Sequence, residues 1–166
     1  MRKRFSFPAA LTLVISLAAL VLTGPLATAQ PRAAEASVQQ HFTIPQSALI
    51  KPAQLAQMIH SGQAPTILQV GFTTLYQEAH ITGAMHAGPA VSEAGRALLR
   101  KTVEHMDHHK LLVIYCGCCP WPKCPNIRPA FEMLKKMGFT NVKAVYIPDN
   151  FGANWVHLGY PTVKGA

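Results

Sequence analysis

The chain has 166 residues, and its fifteen Lys and Arg against seven Asp and Glu give a formal net charge of +8 at pH 7. It is long enough to form one domain with a hydrophobic core. The basic residues are scattered and no aromatic residues interleave with them, which argues against a nucleic-acid-binding surface.

The first 29 residues have the pattern of a secretory signal peptide. Basic residues at 2–4 precede an apolar run over 11–22, and small residues at 27–29 fit the positions that a signal peptidase reads. The apolar run is shorter than the ~20 residues that a membrane-spanning helix needs, although an uncleaved anchor is the alternative. We therefore predict cleavage before Gln30, export to the periplasm or the exterior, and no stable membrane anchor after cleavage.

Residues 30–46 are predicted to form a flexible leader, and residues 47–166 a single folded domain. Removal of the signal peptide leaves 137 residues, in which twelve basic and seven acidic residues give a net charge of +5. A mild positive charge of this kind favours solubility and the approach of small anions.

Helical patterns alternate with short apolar runs along the domain. Pro52 and the spacing of the apolar residues after it predict a helix that ends at Gly62, and Ser92 is a suitable N-cap for a second long helix. The other predicted elements are strands over 66–70, 111–115 and 142–146, a helix ending at Met137, and a segment over 151–159 that brings Trp155 into the core. This order predicts a three-layer α/β fold with a central parallel sheet flanked by helices.

All four cysteines of the chain fall within nine residues, at Cys116, Cys118, Cys119 and Cys124. They follow the apolar strand 111–115 and precede a helix. At such a turn, helix-terminal N–H groups and the helix dipole favour thiolate over thiol. Four cysteines in one loop do not join distant segments, so thiol chemistry is predicted in preference to a disulfide framework.

The order and spacing of several motifs resemble those of rhodanese-like domains over roughly residues 47–162. The motifs are His80-Ile81-Thr82-Gly83-Ala84, Val113-Ile114-Tyr115-Cys116, Ala130-x-x-x-Leu134-x-x-x-Gly138-Phe139 and Trp155-x-x-x-Gly159-Tyr160-Pro161. The resemblance implies a sulfurtransferase in which the Cys116 thiolate takes a sulfane sulfur from a small anion such as thiosulfate. It also implies that the Cys116 persulfide passes this sulfur to a thiol acceptor, small or protein, without a cofactor.

Other loop residues are predicted to assist this chemistry. Cys118, Cys119 and Cys124 are candidate auxiliary or resolving thiols, and Gly117, Trp121, Lys123 and Arg128 are candidate anion- or substrate-binding residues. The resemblance implies that loop N–H groups stabilise the anionic sulfur. Alternatives remain for three of the side chains. Lys123 could simply be solvated, Arg128 could form a structural salt bridge, and Trp121 could line the substrate, dock a partner or shield the cysteines.

The loop differs from the usual family pattern in three respects. It is about five residues longer, and it contains Pro120, Pro122 and Pro125, which have no N–H to donate. In addition, Gln69-Val70-Gly71 stands where the family usually carries Asp-x-Arg. Phosphatases of the same fold need an arginine six positions after the cysteine, and Arg128 lies at no such spacing from any of the four. These spacings therefore argue against phosphatase activity.

Three other functions fit the same cysteines. Cys116 and Cys119 form a C-x-x-C pair that suits thiol–disulfide exchange in an exported protein. Cys116, Cys119 and Cys124 could instead converge on zinc or copper. The domain could also be a non-catalytic rhodanese-like module whose cysteine loop is purely structural.

Overall fold

The computed structural model describes residues 44–165. The predicted signal peptide and all but the end of the predicted leader lie outside this range. Within it, no helix combines the length and the apolar character needed to cross a lipid bilayer. The strands are β1 (Leu49–Ile50), β2 (Thr66–Gln69), β3 (His80–Ile81), β4 (Ala84–His86), β5 (Leu112–Tyr115), β6 (Val142–Val145) and β7 (Thr162–Val163). The helices are α1 (Pro52–His60), α2 (Thr73–Glu78), α3 (Glu93–Val103) and α4 (Ile127–Lys136), with single turns at Gln46–Ala48, Trp121–Lys123 and Gly152–Val156.

Five strands form one parallel sheet in the order β1-β6-β5-β2-β4. The central strand β5 pairs with β2 on one side, in the register Gln69 opposite Tyr115, and with β6 on the other, in the register Ile114 opposite Ala144. Because the strands are parallel, their carboxyl ends lie at one edge of the sheet. In open parallel sheets this edge is where ligand sites form.

The sheet is buried on both faces, as its uniformly apolar strands predict. Along β5, Leu112 and Ile114 point to one core cluster, and Val113 and Tyr115 point to the other. The first cluster is completed by residues of α3 and α4, and the second by residues of α1 together with Trp155. The predicted three-layer arrangement, helices on either side of a central parallel sheet, is therefore confirmed.

Local signals in the sequence account for several element boundaries. Pro52 occupies the first turn of α1, and the Ser92 side chain accepts a hydrogen bond of 3.0 Å from the Gly95 N–H at the start of α3. The predicted core position of Trp155 is confirmed, since its side chain is fully buried. The signals at Pro52 and Ser92 each act within one turn of the chain, so sequence reasoning detects them.

The small antiparallel pair β3–β7 is absent from the sequence-based prediction. Each of its strands has two residues, too few to show any periodicity, and the pair joins His80 to Val163 far along the chain. His80 anchors the turn between α2 and β3. Its ring stacks on Tyr76 at 3.8 Å between centroids, and its Nδ1 is 2.8 Å from the Tyr76 carbonyl oxygen.

Candidate functional site

The four cysteines lie in the loop over 116–126, which leaves the carboxyl end of the central strand β5 and leads into α4. Cys116 continues the alternation of β5, so its side chain points to the face that α3 and α4 cover. It is only 3% exposed, whereas Cys118, Cys119 and Cys124 are partly exposed. The loop thus presents three thiols near solvent and holds the fourth beneath them.

Gly71 at the end of the neighbouring strand leaves room for the buried sulfur. A Cβ atom at Gly71 would lie 2.8 Å from Cys116 Sγ and 2.9 Å from Gln69 Nε2, both closer than side-chain carbon contacts allow. The Gln69 side chain instead folds back to accept a 3.1 Å hydrogen bond from the Gly71 N–H. The Gln69-Val70-Gly71 segment therefore forms a close-fitting wall beside Cys116.

Asn126 is a site residue that sequence reasoning missed. It is fully buried, and its Nδ2 lies 3.4 Å from Cys116 Sγ and 4.0 Å from Cys118 Sγ. Its Oδ1 accepts a 3.0 Å hydrogen bond from the Val91 N–H, which turns the amide donors toward the sulfurs. Asparagine just before a helix usually signals an N-cap, but here the side chain makes no capping bond to α4. The position of Asn126 before a helix therefore suggests a capping role, whereas in the structure its side chain contacts the sulfurs.

Three of the sulfurs form a compact group. The Sγ atoms of Cys116, Cys118 and Cys124 all lie within 4.8 Å of one another, and the Cys118–Cys124 separation is 3.9 Å. Cys119 Sγ is 3.0 Å from Cys118 Sγ but is not within this distance of the whole group. The structure therefore brings Cys118 to the position that the sequence-based metal set assigned to Cys119.

Hydrogen bonds among the thiols distribute the charge unevenly. Hydrogen bonding with Cys118 and Cys124, followed by burial, raises the pKa of Cys116 well above its ordinary value. The hydrogen bond from Cys116, helped by those from Cys119, Cys124 and Asn126, lowers the pKa of Cys118 to about 5. The sequence predicts the thiolate at Cys116, whereas the structure favours it at Cys118. Hydrogen bonding among the thiols, with burial of Cys116 as a further cause, is the physical reason, and neither is visible in the sequence.

The other two thiols complete this pattern. Hydrogen bonding from Cys116, and then from the N–H groups of Asn126 and Ile127, lowers the pKa of Cys124. Burial and its hydrogen bond to Cys118 raise the pKa of Cys119 to about 12. The pKa is thus lowered at Cys118 and Cys124 and raised at Cys116 and Cys119. At Cys124, N–H groups at the positive end of the α4 dipole favour the thiolate.

The loop is fixed to the segment that follows β6. Gly117 has a positive φ of 73°, and its carbonyl oxygen accepts a 3.0 Å hydrogen bond from the Phe151 N–H. The Trp121 N–H donates to the Pro148 carbonyl oxygen, and the Trp121 ring packs against Tyr146 at 5.3 Å. Of the three roles considered for Trp121, this half-buried position favours shielding of the cysteines.

The two basic candidates do not surround the sulfurs. Lys123 is exposed on the turn Trp121–Lys123. Arg128 is exposed on the first turn of α4, where its Nε lies 3.9 Å from Glu132 Oε1, one helical turn away. The structure thus gives Arg128 the salt bridge that was its alternative role, and leaves Lys123 free to meet an anion at the surface of the loop.

Space around the buried sulfur is limited. A cavity of about 10 Å³ is lined by Cys116, Gly117, Cys119, Trp121 and Cys124, among others. That volume holds about one water molecule, so a thiosulfate ion does not fit inside. A much larger cleft of about 810 Å³ lies at the opposite edge of the sheet, beside the amino end of β6, and no cysteine lines it.

The role of Asn126 can be tested by its contribution to stability. Asn126→Ala removes the fully buried amide that bonds the Val91 N–H and Cys116 Sγ and leaves a small cavity, so we expect the free energy of unfolding to fall by about 1–3 kcal/mol. Urea denaturation of the reduced protein measures this. Asn150→Ala is the control, because Asn150 Oδ1 also accepts a backbone hydrogen bond but at an exposed site. Equal losses in the two variants would contradict the assigned role.

Comparison with known proteins bears on the fold. Residues 51–147, more than half of the chain, match the family described as "Rhodanese-like domain". No curated protein matches the chain. The crystal structure of the Alr3790 protein from Anabaena sp. is 21% identical, with a TM-score of 0.54 over 69% of this chain and 91% of that one. The crystal structure of the BH2092 protein from Bacillus halodurans is 20% identical, with a TM-score of 0.56 over 81% and 86%. At these identities the likeness concerns the fold alone.

Proposed function

The chain belongs to the rhodanese-like domain family, and on this premise we propose that it transfers sulfane sulfur through a persulfide on Cys116. The position of Cys116 supports the proposal. It is the residue at the carboxyl end of the central strand, at the edge of the sheet where this architecture builds its sites. Asn126 at the start of α4 adds a hydrogen-bond donor to its sulfur.

The observation that carries the proposal is the contrast in exposure between two neighbouring sulfurs. Cys116 is buried and the cavity beside it is too small for a donor anion, whereas Cys118 is partly exposed and lies within 4.8 Å of it. We infer that Cys118 meets the donor first and that Cys116 stores the sulfur. Burial protects a persulfide from the wrong acceptors, since attack on sulfur depends on access.

The reaction then has three balanced steps. The Cys118 thiolate attacks the outer sulfur of thiosulfate, the S–S bond of the donor breaks, and sulfite leaves with the bonding electron pair. Cys116 attacks the outer sulfur of the Cys118 persulfide anion and transfers its own proton to the departing Cys118 thiolate. Finally an acceptor thiol attacks the outer sulfur on Cys116, gives its proton to Cys116 and leaves as a persulfide anion.

The surroundings of the loop support the proposed substrates. The donor is a small sulfur-containing anion, attracted by the exposed Lys123 and by the basic balance of the chain. The acceptor is a small thiol or a protein thiol that attacks the outer sulfur of the Cys116 persulfide, which extends from the buried Sγ toward the partly exposed Cys118. The proposed reaction uses no cofactor. Its proposed setting is the periplasm or the exterior, which follows from the signal-peptide pattern of residues 1–29.

Intact-mass measurement tests the proposal. The reduced protein is incubated with thiosulfate, the small molecules are removed, and the remaining thiols are alkylated. We expect a gain of one sulfur per chain, mapped by peptide sequencing to Cys116. Loss of two hydrogen atoms (two protons and two electrons) without added sulfur would favour thiol–disulfide exchange, for which the 3.0 Å contact between Cys118 and Cys119 offers a pair. That result, or an unchanged mass, would overturn the proposal.

A further inference from the structure

We propose that Cys116, Cys118 and Cys124 bind one soft metal ion, Cu(I), through their three sulfur atoms. This site goes beyond sulfur transfer and does not depend on it. It uses the buried thiol at the end of β5, a thiol from the middle of the loop and one from just before α4. Three residues separated along the chain thus converge on one point.

The distances fit a metal ion. A metal–sulfur bond of about 2.3 Å places the sulfurs of a trigonal or tetrahedral site about 3.8–4.0 Å apart. The Cys118–Cys124 separation is 3.9 Å, and no pair in the group exceeds 4.8 Å. Closing the remaining pairs around an ion requires movements below about 1 Å, which side-chain rotation supplies.

The donor set selects the metal. Within residues 44–165 the group contains three cysteine sulfurs and neither histidine nor carboxylate, and thiolate ligands select soft ions such as Cu(I) over hard ones. Zinc in structural sites takes four ligands. Cys119 is poorly placed as the fourth, because its Sγ is 3.0 Å from that of Cys118, closer than two ligands of one ion lie. Three thiolates without a fourth therefore favour Cu(I).

The surroundings supply the outer contacts that thiolate ligands need. Asn126 is fully buried, donates toward Cys116 and Cys118, and is itself held by the Val91 N–H. Backbone N–H groups of Asn126 and Ile127 donate to Cys124. Such donors orient metal ligands and stabilise their charge, and their loss typically costs about 10- to 100-fold in affinity. The partial exposure of Cys118 and Cys124 provides the path by which the ion enters.

The test is a titration of the reduced full chain with Cu(I), without oxygen, in competition with a coloured Cu(I) chelator. We expect one ion per chain and charge-transfer absorption from thiolate to metal. Cys118→Ser and Cys124→Ser should each weaken binding by more than about 100-fold, beyond the range for outer contacts. Cys119→Ser is the matched control and should bind within about threefold of the unmutated chain. Asn126→Ala should fall between these variants.

Several results would overturn the site. These are failure to bind Cu(I), an affinity loss in Cys119→Ser as large as in Cys124→Ser, or tighter binding of Zn²⁺ by all four thiols. Circular dichroism of each variant shows whether a loss reflects unfolding, and Ser61→Ala, at the exposed end of α1, should retain full binding. The titration measures metal binding by protein that has not been incubated with a sulfur donor. Its outcome is therefore independent of whether the protein transfers sulfur.

A final experiment tests whether Cu(I) binding and sulfur storage use the same residue, Cys116. If the ion and the stored sulfur share Cys116, Cu(I)-loaded protein should gain no sulfur from thiosulfate, and removal of the ion by chelator should restore whatever gain the metal-free protein shows. A full sulfur gain by loaded protein would overturn the shared site. If the metal-free protein also gains none, the sulfur-transfer proposal fails while the titration still decides the metal site.

Discussion

Cys116→Ser will reduce the rate of sulfur transfer by about 10³-fold or more, whereas Cys118→Ser will reduce it by about 10²-fold. The first value is typical of the loss of a covalent nucleophile, because an alcohol at this position cannot hold the sulfane sulfur. The second reflects a positioning loss, since the donor must then reach a sulfur that is 3% exposed. The buried thiol is therefore expected to matter more than the exposed one.

Sulfite release from thiosulfate, with a small thiol as acceptor, measures both rates. Single-turnover experiments separate the steps: Cys116→Ser should still release sulfite once and carry the sulfur on Cys118, and Cys118→Ser should show a slow first step. Far-UV circular dichroism and urea denaturation control for folding. Equal rates in Cys116→Ser and unmutated protein would refute the storage role of Cys116. A larger loss in Cys118→Ser would exchange the two roles.

Gly117→Ala will produce the second large effect, a loss of both stability and site geometry. Gly117 has φ of +73°, where a side chain costs about 1–2 kcal/mol. A Cβ atom there would also lie 2.6 Å from Phe151 Cβ, against a segment tied to Gly117 by a backbone hydrogen bond. Relief of that overlap should cost a further ~1–3 kcal/mol and should displace the loop that carries Cys118.

Gly62→Ala is the matched control for this variant. Its φ is +70° and nothing lies within 4 Å of an added Cβ, so it carries the backbone cost without the collision. Urea denaturation should therefore show Gly117→Ala losing clearly more stability than Gly62→Ala. Only the Gly117 variant should impair sulfur gain from thiosulfate. Equal stability losses would mean that Phe151 yields easily and that the loop is not held as described.

Much of the architecture was accessible from the sequence because its signals are local. The apolar runs that became β2, β5 and β6 gave the parallel sheet, and Ser92 marked the start of α3. The two-residue strands β1, β3 and β7 were not predicted, since their pairing depends on distant segments rather than on periodicity.

The candidate site was also predicted only in its local features. The cluster of four cysteines after a buried strand could be read directly, and it predicted thiol chemistry at Cys116. The sequence did not show which sulfurs lie together. The geometry of the loop places Cys118 with Cys116 and Cys124 and leaves Cys119 outside that group, beside Cys118. Asn126 was missed for a related reason: its partners are two sulfurs and the Val91 N–H, and Val91 lies 35 residues away.

The sequence by itself determined an α/β domain with a parallel sheet and a cysteine-rich loop, since alternating apolar strands and helices and one cluster of thiols are properties of neighbouring residues. The order of its motifs added the resemblance to rhodanese-like domains. Only the tertiary structure decided how the thiols differ. Hydrogen bonding with Cys118 and Cys124, followed by burial, raises the pKa of Cys116, while hydrogen bonds from neighbouring residues lower the pKa of Cys118. Solvent access and hydrogen bonding to a thiol depend on segments that meet only when the chain is folded.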